Sequence, residues 1–478
     1  MTVTAEALLA LLPELVATGF LILVLMVGVF AERNVVLVAG LAALGSLAVF
    51  GSAAVLLVIG FSGSFFGGGF VVDAFALYFK LVVAGSAFFA VLAAARWSGY
   101  TGDAGEYLTL ILAVVLGSIL LVSMRDLFGL FLTIELATIP SYAMVAFDRS
   151  RRESAEGGMK YLITGVIASS VLLYGIVLIY GVSGSAELAD VARAFSADLS
   201  PVAVVGLVLL LSGFAFKVSA APFHFWTPDA YQGAPTSAAA FLSVAPKAAF
   251  FAILLRVLLE GMPDAAPTWT AVMAFLAILT MFVGNLFALR QRNVRRMLAY
   301  SSVAHSGYIL AAFAALQGQA VQTAIEAVLV YSAAYAVMNL GAFLVIDLVG
   351  EDAKSFNGLI KARPGVALSM LVFMASLVGI PPLSGFFGKL WIIVAGVQSG
   401  SIAVYVVVGA LVVNSVLSVP YYFGIVRNML FEEPAGPVSA KDDSGALRFA
   451  VYALAVATTL FGLLIIPLST LVQSSGLL

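Results

Sequence analysis

Polar side chains in this sequence fall into short clusters, and the apolar runs between them are too long for strands or for the helices of a soluble fold. A helix that crosses the hydrocarbon core of a membrane needs about 20 mostly apolar residues. On that template the chain predicts about fourteen spans, centred on 12–32, 35–60, 72–95, 106–123, 126–147, 159–181, 202–222, 237–259, 268–289, 297–316, 321–347, 366–396, 402–427 and 447–472. Pro13 and Glu14 suit the first turn of the first span, where proline forfeits no hydrogen bond and a carboxylate meets the helix dipole. Glu14 therefore reads as a cap.

The connecting loops predict an orientation. Loop 148–160 holds Arg149, Arg151, Arg152 and Lys160, loop 290–296 holds Arg290, Arg292, Arg295 and Arg296, and loop 348–365 holds Lys354, Lys361 and Arg363. On this span pattern all three share one side. The other side has loop 61–71 without charge and loop 182–200 with Glu187, Asp190, Asp198 and Arg193. Lysine and arginine concentrate on the cytoplasmic side, so the basic loops are expected there and both termini outside. The polar stretch 428–446 reads as a cytoplasmic linker.

Composition agrees. Of the 478 residues, 63% are hydrophobic and 10% charged, against roughly 25% charged in a soluble protein. Mean hydropathy is +1.12. The fold class expected is an all-α polytopic membrane protein. A net charge of −2 argues against a nucleic-acid partner. The absence of cysteine excludes disulfides, thiolate zinc sites and cysteine-ligated iron–sulfur clusters. Of the two histidines, His224 and His305, neither has a context favouring haem. The first eight residues carry no lysine or arginine, so the first apolar run reads as a retained span and not as a cleaved signal. The Gly-Lys pair in GFFGKL at 385–390 lacks the spacing and the Ser/Thr of a phosphate loop.

Ionisable groups at membrane depth are expensive and mark pathways or relays. Arg256, Asp347, Arg427 and Glu326 sit near span ends, where side chains reach headgroups. Arg125 and Asp126 fall in a turn. Lys80, about two turns inside its span, is open to snorkelling or to burial. Glu135, Lys217, Lys247 and Lys389 lie deepest. The bland reading of each is a buried charge that ties helices together. Proline placement favours a functional one. A proline inside a helix leaves the carbonyl four residues earlier without its donor; Pro222 does so beside Lys217 and Pro140 beside Glu135. Pro246 precedes Lys247, and Pro381–Pro382 interrupt the span of Lys389. Freed carbonyls in hydrocarbon need partners, so water is expected near these charges. A lysine whose carboxylate partner approaches or retreats changes its proton affinity, and several in series make a proton relay. His305 either bridges two such sites, since imidazole titrates near neutral pH, or is a hydrogen-bonded core histidine. His224 reads as an entry-side proton group or a helix-end hydrogen bond.

The interrupted segments KVSAAPFHFW and GIPPLSGFFGKLW lie about 160 residues, or five spans, apart. An odd offset points equivalent helices in opposite directions, which is an inverted repeat. The domain reading is one membrane domain: flanking helices over 1–105, a first repeat over 106–260, a second over 268–430, and a last helix over 447–478. Spans seven and twelve are broken.

At these residues the chain resembles the antiporter-like subunits of respiratory complex I, the proton-translocating NADH:quinone oxidoreductase. FKVSAAPFHFWTPDAYQGAPT is similar to that family's broken seventh helix, and GGMKYLITG, RRMLAYSSVAHSGY and GIPPLSGFFGK match in order over essentially the whole chain. The resemblance implies a fifth-helix glutamate at Glu135 paired with a seventh-helix lysine at Lys217. It implies a central lysine at Lys247, a terminal one at Lys389 and a further sixth-helix lysine at Lys160. Lysine at 389 disfavours the M branch, and ending after the fourteenth span disfavours the L branch, which leaves the N branch. The resemblance further implies a bacterial plasma (inner) membrane and no cofactor on this chain, with NADH, flavin, iron–sulfur clusters and quinone handled by partner subunits. Expected partners are neighbouring antiporter-like subunits, a lateral helix from subunit L and lipid. The rival readings are a sodium/proton antiporter subunit and an inert structural subunit.

Overall fold

The computed structural model describes residues 5–30, 34–95, 103–197, 199–434 and 444–464. Asp198, both termini, residues 31–32 and 465–472 of the two outermost windows and 435–443 of the polar linker lie outside them.

Long apolar runs fold as helices because hydrocarbon offers backbone groups no partner, so each must bond within its own segment. In chain order these are α1 (Ala5–Ala10), α2 (Leu12–Phe30), α3 (Val35–Val58), α4 (Ala74–Ala94), α5 (Ala104–Leu121), α6 (Leu127–Val145) and α7 (Arg152–Ser183). There follow α8 (Leu188–Ala197), α9 (Pro201–Lys217), α10 (Trp226–Gly233), α11 (Thr236–Leu242), α12 (Ala245–Arg256), α13 (Ala266–Ala288) and α14 (Val294–Ala314). The last are α15 (Val321–Val349), α16 (Leu359–Ala362), α17 (Pro364–Val378), α18 (Ser384–Gln398), α19 (Ile402–Phe431) and α20 (Gly445–Leu463). Between α3 and α4 a hairpin pairs β1 (Gly63–Phe65) antiparallel to β2 (Phe70–Val72), with Gly63 opposite Val72.

Among the described residues eleven helical segments are long and apolar enough to cross a membrane, and Pro201–Lys217, Pro364–Val378 and Ser384–Gln398 are shorter apolar helices. The protein is an all-helical polytopic integral membrane protein. α14 has spanning length at 21 residues but carries Ser301, Ser302, His305 and Ser306.

The helices are unequally covered. Thr236–Gly261 is wholly buried and Gly318–Val349 nearly so, whereas Leu12–Phe30 and Ile402–Phe431 are buried over only 28% of their apolar stretch. Outward side chains such as Val36, Phe225 and Ile402 are apolar, as a lipid-facing surface requires. Close helix packing relies on small residues: a Cβ added at Gly284 on α13 would lie 2.4 Å from the Ala304 nitrogen on α14.

The loops gather at two ends. At one, Arg151 pairs with Glu351 at 3.4 Å and Asn293 bridges Asp352, which joins the three arginine- and lysine-rich loops. At the other, Asp126 bridges Glu187 and Arg125 pairs with Glu260 at 2.7 Å.

Candidate functional site: a buried line of charged and hydroxyl side chains

Each deep ionisable residue is placed by a helix and answered by a different partner. Glu135 lies midway along α6, which Asp126 caps by accepting from the Gly129 nitrogen at 2.6 Å. Lys217 is the last residue of α9. Its Nζ donates to Glu135 Oε1 at 3.3 Å, to Ser169 Oγ at 2.9 Å and to Thr138 Oγ1 at 3.4 Å. Ser169 itself donates to Glu135 Oε1 at 2.6 Å, so the α7 hydroxyl bridges acid and base. Glu135 keeps some exposure, 20% of its side chain, while Lys217 keeps 1%.

The chain leaves helical geometry after Lys217, ahead of Pro222. Ser219 adopts φ +61° and its nitrogen donates to the Phe216 carbonyl. The Trp226 indole donates to the same carbonyl at 3.2 Å, and the Ala221 nitrogen finds Thr280 Oγ1 at 3.0 Å. The expectation that Pro222 frees the Val218 carbonyl within a helix is therefore replaced by an end already closed at Lys217, whose carbonyls are answered by backbone and indole donors. Near Lys389 the arrangement is reversed. α17 ends at Val378 with Gly379 at φ +97°, and Lys389 Nζ, from α18, donates to the carbonyls of Val378 at 2.7 Å and Leu377 at 3.2 Å. Terminal carbonyls of a helix carry its negative dipole end, so here a helix end does the work that Glu135 does for Lys217.

Lys247 lies near the start of α12, where Pro246 occupies the first turn and so loses no hydrogen bond. Its Nζ donates to Ser302 Oγ at 2.7 Å and Ser306 Oγ at 3.4 Å. Among the described residues no carboxylate lies within ion-pair distance of it. A cavity of about 10 Å³ adjoins it, bordered by Ser306, Ser332 and Tyr335 and large enough for about one water molecule.

His305, one turn along α14 from Ser302, stands between Lys247 and Lys389. Its Nδ1 bonds the Tyr331 hydroxyl at 2.8 Å and its Nε2 the Tyr422 hydroxyl at 3.1 Å; Tyr422 also bonds Ser301. The Lys389 ammonium sits 4.7 Å from the Tyr308 ring centroid, and that ring lies edge-on to His305 at 5.3 Å. Asn285 Nδ2 holds the Tyr308 hydroxyl at 3.2 Å and Asn414 Oδ1 at 2.9 Å.

Lys160 is not in a loop: α7 begins at Arg152, which places Lys160 two turns inside it. It is half exposed and separate from the Glu135 cluster. Its partners are Glu156 at 2.7 Å and Asp229 at 2.8 Å, and Asp229 also binds Arg296 at 2.5 Å. His224 is buried against the Phe225 ring, and its carbonyl accepts from the Thr227 nitrogen.

Four residues expected near the membrane surface, or left open, are interior. Lys80 does not snorkel; it is fully buried and pairs with Glu14 at 2.6 Å. Glu14, expected as a cap, is its counter-ion. Arg256 is fully buried, with two bonds to Asp73 at 3.0 and 2.9 Å and one to Glu260 at 2.7 Å. Glu326 is only 5% exposed. For Lys80 and Arg256 a carboxylate from elsewhere in the chain offsets the dehydration that distance from a span end alone suggested was avoided; Glu326 is met only by the Trp391 indole and the Gln322 amide.

The family model for NADH:quinone oxidoreductase/Mrp antiporter transmembrane proteins matches residues 124–418. The chain belongs to that family. The matched segment holds Glu135, Lys217, Lys247, His305 and Lys389, whereas the Glu14–Lys80 pair lies before it and Tyr422 just after it. A relative from Rubrobacter xylanophilus named NADH-quinone oxidoreductase subunit N is 74% identical over 100% of both chains. A chain of respiratory complex I from Thermus thermophilus, solved with bound aureothin, superposes with TM-score 0.79 at 31% identity, covering 96% of this chain and 98% of that one. A chain of the Mrp complex from Dietzia superposes with TM-score 0.85 at 23% identity over 99% and 97%, a likeness of fold.

Ser169, Thr138, Ser302, Tyr331, Tyr422 and Asn285 were not singled out from sequence. Serine, threonine and tyrosine occur throughout these helices, and only depth and facing select the few that touch a charge. Among the described residues no cluster of three or more His, Asp or Glu side chains is placed to hold a metal.

Proposed function

We propose that the chain is the N subunit of a bacterial proton-pumping NADH:quinone oxidoreductase and that it moves protons through its buried line of charged and hydroxyl groups. The observation that carries this reading is the row Lys217, Lys247 and Lys389, all at most 5% exposed, of which Lys217 faces the Glu135 carboxylate and two hydroxyls while Lys247 and Lys389 are answered by hydroxyl or carbonyl oxygens alone. Full-length identity to a subunit N supports the assignment to that complex.

In the proposed relay, Glu135 and Lys217 form the first proton-exchanging pair, with Ser169 holding them in register. Lys160, half exposed and joined through Asp229 to the α10 segment, is the entry-side group. Lys247 is the central site, His305 with Tyr331 and Tyr422 the link, and Lys389 the terminal site. Protonated Lys247 hands a proton along Ser302 and Ser306 towards His305. Moving one charge against 100 mV takes about 2.3 kcal/mol, so redox chemistry in partner subunits drives the cycle. NADH, flavin, iron–sulfur clusters and quinone belong to those subunits, and this chain carries no redox centre.

The finer architecture belongs to the same reading. It has fourteen spans, with α9 and α10 forming a broken seventh and α17 and α18 a broken twelfth. Residues 106–260 and 268–430 are inverted repeats, flanked by 1–105 and 447–478. The arginine-rich end is cytoplasmic, both termini are outside the bacterial plasma membrane, and a lateral helix from subunit L and neighbouring antiporter-like subunits pack alongside. A sodium/proton antiporter reading is disfavoured by the contact of Glu135 with the Lys217 ammonium, because a desolvated sodium ion needs several oxygens free of a competing cation.

The test is proton pumping by the assembled complex in sealed vesicles. Glu135→Gln and Lys247→Ala are expected to assemble and to lose most pumping; unchanged pumping in both sinks the relay. Transport that requires sodium and survives a protonophore would favour the antiporter.

A further inference from the structure

The buried and half-buried carboxylates of this bundle differ in what faces them. Glu14 has Lys80, Glu135 has Lys217, and Asp73 and Glu260 share Arg256. Glu326 is buried as deeply as Glu14, at 5% exposed, yet among the described residues no ion pair answers it. Its Oε2 accepts from the Trp391 indole at 3.3 Å and its Oε1 from the Gln322 amide at 3.4 Å. Both contacts are neutral and long. A carboxyl in such a place accepts hydrogen bonds when ionised and carries a proton when neutral, with no cation to hold it in one form.

Its position is specific. α15 and α18 run antiparallel: a Cβ at Gly388 would meet the Tyr331 ring at 2.5 Å, and one turn further along α18 Trp391 meets Glu326. The Lys389 backbone falls between those two levels, within about one helical turn, roughly 5 Å, of the level of Glu326, and its ammonium reaches back from there to the end of α17. Beyond Glu326, in the direction away from the arginine-rich loops, the next turn of α15 presents Gln322, which is exposed. The order along the bundle is therefore Lys389, Glu326, Gln322, surface.

We propose that Glu326 is the proton-exchange group between Lys389 and the face of the bundle opposite the arginine-rich loops. This rests on the relay proposed above and gives its terminal site a way out. The Lys389 ammonium gives one proton, through intervening hydroxyls or water, to the Glu326 carboxylate. Lysine becomes the neutral amine and glutamate the neutral acid. The acid then releases the proton past Gln322 and returns to the carboxylate, and the amine regains a proton from the His305 side. No electron moves, and charge is conserved at each transfer.

The test uses the whole complex in sealed vesicles, with pumping normalised to NADH oxidation. Glu326→Gln keeps the volume and an oxygen for the Trp391 indole but removes the exchangeable proton. It is expected to assemble and to lower pumping at least twofold, with Glu326→Asp recovering part of the loss. Lys389→Ala is measured in parallel. Normal pumping by Glu326→Gln beside loss in Lys389→Ala overturns the exit while leaving the relay intact; normal pumping in both overturns the relay. Should Glu326→Gln fail to assemble, Glu326→Asp decides: a carboxyl withdrawn by one methylene slows the transfer at least twofold, and unaltered pumping removes Glu326 from the path.

Discussion

Lys389 reaches back across the interruption of its own segment and donates to the Val378 carbonyl at 2.7 Å, so one helix end serves as the counter-dipole for a buried ammonium on the next. The lysine thereby keeps a strong acceptor although, among the described residues, no carboxylate is in ion-pair contact with it. Lys389→Met fills the same space without a donor. It is expected to leave the complex assembled on native gels and to cut pumping at least fivefold.

Ser169 occupies the corresponding position in the first site, bonded to Glu135 on one side and Lys217 on the other. Ser169→Ala removes both bonds and keeps both charges. Leaving a buried polar group without its partner costs about 1–3 kcal/mol. The expected outcome is intact assembly with pumping slowed two- to tenfold, milder than Glu135→Gln. Equal pumping by Ser169→Ala and wild type would show that the hydroxyl is only a packing group.

The Glu14–Lys80 pair offers a test of structure without chemistry. Breaking a buried pair by removing one partner costs about 3–5 kcal/mol, whereas replacing both by apolar side chains is often neutral. Lys80→Met alone is expected to lower the yield of assembled complex. Glu14→Leu combined with Lys80→Met is expected to restore it, with pumping per NADH unchanged. Assembly by the single variant at wild-type yield would contradict the pairing.

Lys160 is half exposed, and exposed ion pairs contribute about 0–1 kcal/mol. Lys160→Ala is therefore expected to assemble normally. As an entry-side group it should slow pumping two- to fivefold, much less than Lys217→Ala, with a larger effect at low ionic strength where the charge it shares with Asp229 is less screened. Pumping lost as completely as in Lys217→Ala would place it inside the line.

Gly284 tests the packing that carries the line. Any Cβ there meets the Ala304 backbone, one residue from His305. Gly284→Leu is expected to abolish assembly, and Gly284→Ala to weaken it, read as a lower temperature of dissociation.

The sequence by itself determined that this protein lives in a bilayer and where its long apolar helices run. Those follow from length and apolarity, which are local properties of the chain. It also placed Glu135, Lys217, Lys247 and Lys389 at depth and pointed to the ends of regular helix after Lys217 and before Lys389, whereas α6 runs unbroken through Pro140 beside Glu135. It left Lys80 open and misjudged Arg256 and Glu326, because distance from a span end does not say whether a partner waits on another helix. Only packing brings Glu14 to Lys80 and Asp73 to Arg256. Ser169 and Ser170 show the boundary most plainly. They are adjacent and chemically the same, yet Ser169 bridges the Glu135–Lys217 pair while Ser170 is exposed and bonds back to the Val166 carbonyl. Successive residues on a helix point about 100° apart, and which direction faces the interior is settled by how α7 rests against α6 and α9.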